Sequence, residues 1–188
     1  MTDTLRHIKQ DLHAMMNGVA SAAMRDAGMT QDYRTNFGVE LPRLQTMAEE
    51  LRHDHAQQLA TLAQALWKES VRECRILGLM LFPPAEMDGE LAEVWLADIH
   101  TLELVQVASL HLFSRMPKAT DKAFEWMAAE SELVQMAGYY TIGHILRTHT
   151  LNDRAIDELR DQATAALASE NTQLRMAAQR ALARLSTD

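Results

Sequence analysis

Asp88–Pro117 reads DGELAEVWLADIHTLELVQVASLHLFSRMP. Its apolar residues recur at helical spacing: Leu91, Val94, Trp95 and Ile99, then Leu102, Val105, Leu110 and Leu112-Phe113. Thr101 stands between the two runs as an N-cap, and Pro117 lies beyond the end of the second. The stretch is therefore a helix over 88–98 and another over 101–115. So short a connection makes the two helices antiparallel neighbours. One such pair cannot bury its apolar face alone, so others are needed to complete a core.

Similar pairs lie on either side. Residues 56–68 and 70–82 form one, stopped by Pro83-Pro84. Residues 120–130 and 132–148 form another, with Ser131 as N-cap, and 153–168 and 172–185 a last one, capped by Asn152 and Asn171. The first helices begin near 56, 88, 120 and 153, a period of about 32 residues, which is in the range of helical solenoids. Trp67, Trp95 and Trp126 each fall near the end of a first helix. A small residue follows in each second helix (Gly78, Ala108, Ala137-Gly138, Ala177-Ala178), where neighbouring backbones must approach closely.

The N-terminal forty residues depart from this pattern. Residues 3–16 predict a helix with Leu5, Ile8, Leu12 and Met15-Met16 on one face, whereas Met24–Phe37 is turn-rich and reads as a connecting loop or a short helix. Pro42 suits the first turn of a helix running through Arg52. No stretch alternates apolar and polar residues as a strand does. The expectation is one all-α domain over 1–188, with an N-terminal helix and connector in 1–40 and stacked helix pairs in 41–185.

Eighteen Lys and Arg against 26 Asp and Glu leave a net charge of −8. That balance disfavours a general nucleic-acid binder without excluding a basic patch on an acidic body. The distribution says more. From Ile76 to Ser114 there is no Lys or Arg, while Glu86, Asp88, Glu90, Glu93, Asp98 and Glu103 form an acidic belt. Cys74 is the single cysteine, so neither an intrachain disulfide nor a Cys-rich zinc site can form. The polar N-terminus does not resemble a signal peptide. The longest apolar run, Ile76–Phe82, is far below the roughly 20 residues of a membrane span. A cytoplasmic location is expected.

Few residues suggest chemistry on spacing alone. The eight histidines include no His-Glu-x-x-His, His144 and His149 are five apart, and the single Glu-x-x-His (Glu50–His53) has no second copy, so no metal site is read. No phosphate-cradling glycine loop occurs, and no cofactor is implied. Cys74, within an apolar helix, reads as a buried thiol. Each tryptophan either plugs a gap between helices or lines a surface where it stacks on a planar group. Arg72 and Arg75, three apart at the start of a second helix, share a face suited to a phosphate or to pairing with Glu69 or Glu73.

The run Asn36-Phe37-Gly38-Val39-Glu40-Leu41-Pro42-Arg43-Leu44, then Ala48, Ala65-Leu66-Trp67 and Arg72-Glu73-Cys74-Arg75-Ile76-Leu77, resembles the bacterial DNA alkylation repair family. These are HEAT-like-repeat DNA glycosylases that excise alkylated purines. The resemblance implies a right-handed α–α superhelix of HEAT-like, armadillo-like repeats, acting on double-stranded DNA with an alkylated base. It also implies Asp98 as the catalytic carboxylate, Trp95 as the stacking surface, and Arg72, Arg75 and Arg147 as phosphate contacts.

The family uses a Trp-x-x-x-Asp motif, an arginine on a later second helix and a tryptophan near the C-terminus. Here Trp95-Leu96-Ala97-Asp98 is one residue short, which turns the carboxylate by about 100° on a helix. Gln135 or Met136 stands where the arginine is expected, and Arg180 where the aromatic is expected. Glycosylase activity is therefore expected to be weak or absent. The rival reading is a non-catalytic scaffold holding a protein, peptide or small ligand on its concave face.

Overall fold

A computed structural model describes residues 1–30 and 33–185. Of the expected connector at Met24–Phe37, Gln31 and Asp32 lie outside the described residues. Among the described residues there are eleven α-helices, three short 3₁₀ turns and no strand. They form two compact units, Met1–Glu86 and Met87–Asp188.

The first unit holds α1 (Thr2–Ala14), α2 (Gly18–Asp26), α3 (Leu41–Asp54), α4 (Leu59–Trp67) and α5 (Arg72–Leu81). All ten residues of α5 are buried, and it packs against α4 and α3. Arg52 of α3 ties that packing by donating to the Met80 carbonyl at 3.0 Å. Close approach at Gly78 is a steric requirement, since a β-carbon there would lie 3.0 Å from the Ala63 carbonyl oxygen and 3.1 Å from the Trp67 nitrogen.

The start of α2 is not among the elements expected from the sequence. Asn17 caps it, its side-chain oxygen accepting from the Ala20 N–H at 3.0 Å. None of its nine residues is buried, and its only large apolar side chains are Val19 and Met24.

The second unit holds α6 (Gly89–Ala97), α7 (Leu102–His111), α8 (Ala119–Met127), α9 (Glu132–Ile145), α10 (Asp153–Leu167) and α11 (Thr172–Leu185). A 3₁₀ turn at Phe113–Arg115 links α7 to α8. The caps at Thr101, Asn152 and Asn171 form as expected, accepting from Leu104, Ala155 and Leu174 backbone N–H groups. Helix α9 is the pillar of this unit and packs against α7, α8 and α11. Gly138 permits this, because a β-carbon there would sit 2.6 Å from the Ala123 carbonyl oxygen and 2.7 Å from the Met127 nitrogen.

First helices start at Leu59, Gly89, Ala119 and Asp153, so three repeats are spaced by 30 residues and the last is longer. Trp67, Trp95 and Trp126 are all buried, at 7%, 3% and 2% exposure, and act as the plugs of their repeats. Trp126 shows how one is accommodated: its ring lies 4.9 Å from Phe113, and its indole N–H donates to Glu93 at 2.8 Å.

Candidate nucleic-acid interface

The site begins with two chain reversals in the second unit. After α7, the 3₁₀ turn brings Arg115 to the surface. Lys118 then takes the left-handed conformation (φ +56°) that a non-glycine residue rarely adopts, and α8 starts at Ala119. After α9, the backbone N–H groups of Thr148 and His149 both donate to the Ile145 carbonyl, at 3.1 and 3.0 Å, which curls Arg147 outward. The two reversals border a groove of about 850 Å³.

Arg115, Lys118 and Arg147 line it, with His144, His149 and the hydroxyls of Ser114, Thr120, Thr148 and Thr150. Among the described residues, no carboxylate lines it. All three cations are exposed, and none makes an ion pair within the described residues. A basic residue at a helix C-terminus is favourable for the helix dipole alone. Three cations from two separate reversals facing one groove is a different matter, because their fields add and attract anions.

His144, half-buried on the last turn of α9, registers that field. Burial is the largest influence lowering its pKa below the usual 6.5, and the charges of Arg147, Arg184 and Arg115 lower it further. The Ser114 and Thr148 hydroxyls donate to the Leu110 and Ile145 carbonyls, so the groove combines permanent cations, the hydroxyls of Thr120 and Thr150 and a neutral imidazole, a set suited to phosphate oxygens.

Of the residues expected from sequence to form a site, Arg147 alone lies in this groove. Arg72 is 2% exposed, donating to Glu73 at 2.9 Å and to the Val39 carbonyl at 3.1 Å. Glu73 is fully buried and accepts from the Phe37 and Val39 backbone N–H groups, both at 3.2 Å. Arg75 is 8% exposed, its guanidinium 4.2 Å from the Trp67 ring centre and donating to the Trp67 carbonyl at 3.3 Å. Arg72 takes the pairing alternative that the spacing left open, Arg75 packs on Trp67, and phosphate contact by either would require opening the core.

Trp95, 3% exposed, offers no free face for stacking. Asp98 is the exposed C-cap of α6. Where the family resemblance leads one to expect an arginine, Met136 is buried and the Gln135 amide donates to the Ala129 carbonyl at 2.6 Å. Arg115 and Lys118 were not singled out from the sequence, and His144 and His149 were weighed there only as a metal pair. The available signal was that Arg115 and Lys118 are the first cations after the cation-free stretch ending at Ser114.

A sequence model of the DNA alkylation repair enzyme family matches residues 8–188. The chain belongs to that family. No curated protein matches it significantly in sequence. A solved structure described as a new family of proteins related to the HEAT-like repeat DNA glycosylases, with affinity for branched DNA structures, superposes with a TM-score of 0.82. It is 16% identical, and the match covers 96% of this chain and 75% of that one. At that identity the likeness establishes the fold, an all-α HEAT-like repeat architecture. No helix among the described residues is long and apolar enough to cross a membrane.

Proposed function

We propose that this family member binds DNA by holding backbone phosphates in the groove of Arg115, Lys118 and Arg147, and that it recognises DNA with little or no base excision. The observation carrying this reading is the convergence of three exposed cations on a groove that, among the described residues, has no carboxylate in its lining and no ion pair to these cations. Phosphate neutralisation is the main source of nucleic-acid affinity, and this groove supplies it on a chain of net charge −8.

Weak excision follows from the residues that would perform it. A glycosylase needs a carboxylate beside the sugar and an aromatic face on the lesion. Trp95 is enclosed, and Asp98 belongs to the acidic belt, where a DNA backbone is repelled unless cations intervene. An alkylated base as the preferred target rests on family membership, and branched DNA is a further substrate to test given the affinity stated for the structural relative.

The test is a titration of linear, methylated and branched duplexes at two salt concentrations with wild type and Arg147→Ala, beside a base-release assay that includes Asp98→Asn. Salt-sensitive binding weakened by Arg147→Ala is expected, with base release the same in wild type and Asp98→Asn. Salt-insensitive binding, or none, rejects the reading and favours a scaffold for a protein, peptide or small ligand.

A further inference from the structure

His144 lies within the lining of the cationic groove, between permanent charges that repel its protonated form. We propose that phosphate binding in this groove is coupled to uptake of one proton by His144, so that the protein holds DNA more tightly as pH falls. This rests on the groove being the DNA-binding site and concerns the regulation of that site.

The geometry sets the coupling. Arg115 comes from the turn after α7, Lys118 from the entry to α8, and Arg147 and His149 from the reversal after α9. The helices packed on α9 also carry Glu103 and His111 (α7), Asp121, Lys122 and Glu125 (α8), and Arg175, Arg180 and Arg184 (α11), none of which lines the groove. Lys122 is engaged by Glu93 and Glu125. Among the described residues, the charges that act on His144 are cations, namely Arg147, Arg184 and Arg115.

With the groove empty, those charges and the partial burial of the ring hold the imidazole neutral. A phosphate entering the groove offsets the same positive field. It also supplies an acceptor that a protonated imidazole satisfies with a second N–H. The proton-binding affinity of His144 is therefore higher in the complex than in the free protein. Between the two pKa values, binding takes up a proton and affinity rises as pH falls. Above the upper value and below the lower one the profile is flat. One coupled proton sets a ceiling of about tenfold in affinity per pH unit.

The experiment measures duplex DNA and sulfate binding across roughly pH 5 to 8, the range in which an imidazole titrates. Ionic strength is held fixed, and wild type, His144→Gln and His53→Gln are compared. His53 is an exposed histidine of the first unit and serves as the control. Sulfate is the simple probe because its charge does not change in this interval. Affinity is expected to fall about five- to tenfold from about pH 5.5 to 7.5 in wild type and His53→Gln, and to lose that dependence in His144→Gln.

A second measurement needs no variant. The His144 ring signal is titrated by NMR with and without sulfate, and its midpoint moves upward when sulfate is present. Salt-sensitive DNA binding whose pH profile survives His144→Gln overturns the coupling and leaves the DNA reading intact. A His144 midpoint unmoved by saturating sulfate overturns the coupling too. Absence of DNA binding together with a sulfate-shifted His144 supports a proton-linked anion site and removes DNA as its ligand.

Discussion

Two groups of basic residues in this protein have opposite fates. Arg72 and Arg75 are drawn into the first unit, one against Glu73 and the Val39 carbonyl, the other against the Trp67 ring and carbonyl. Arg115, Lys118 and Arg147 stand on the surface of the second unit, facing a shared groove in whose lining no described residue is a carboxylate. The difference lies in what each helix does in its repeat. All of α5 is buried, so any cation on it must find a partner inside. The groove cations sit at chain reversals, where side chains leave the packed faces and stay in water. Helical spacing places two residues on one face but does not say whether that face meets solvent or core.

Four measurements break or sharpen this contrast, and the largest effect belongs to the buried side. Glu73→Gln leaves Arg72 charged and enclosed, and loss of one partner of a buried pair costs about 3–5 kcal/mol of stability. Denaturant unfolding reads this directly, and a loss below about 1 kcal/mol would mean that the pair behaves like a surface one.

Arg115→Ala combined with Lys118→Ala should leave folding intact and act on DNA alone. The slope of log affinity against log salt should become shallower by about 1.8, from two phosphate contacts at about 0.9 each. An unchanged slope places DNA elsewhere on the chain.

Gly138→Ala tests whether close packing of α8 on α9 supports the groove. A β-carbon 2.6 Å from the Ala123 carbonyl oxygen forces the helices apart, at a cost of roughly 1–3 kcal/mol in thermal or chemical unfolding. Gly143→Ala on the same helix meets nothing nearer than 3.9 Å and is expected to stay within about 1 kcal/mol of wild type.

The smallest effect concerns acid stability. The folded state lowers the His144 pKa, so the unfolded chain binds that proton more readily. Stability from the neutral ring is complete above about pH 6.5 and declines as pH falls below it. His144→Gln should flatten this decline in melts recorded at successive pH values.

Much of the fold was legible because helix-forming residues, caps and apolar spacing agree along the chain. Thr101, Asn152 and Asn171 begin their helices as expected, and the small residues at Gly78 and Gly138 mark real backbone approaches. Helix α2 was not marked out, because its nine residues are mostly small or polar, with Val19 and Met24 the only large apolar side chains. Cys74 was read as a buried thiol, and burial pushes its pKa up to about 12. Less of the candidate site was legible. Arg147 was identified without its neighbours, because Arg115, Lys118, His144 and His149 are brought together by two reversals about thirty residues apart in sequence.

Periodicity, capping residues and the rhythm of tryptophans and small residues were enough to determine a stack of helix pairs, since these are local properties that each segment carries by itself. Only the tertiary structure decided which cations are enclosed and which converge. Burial and the summed field of several charges depend on what packs against a residue, and no spacing within a single helix encodes that.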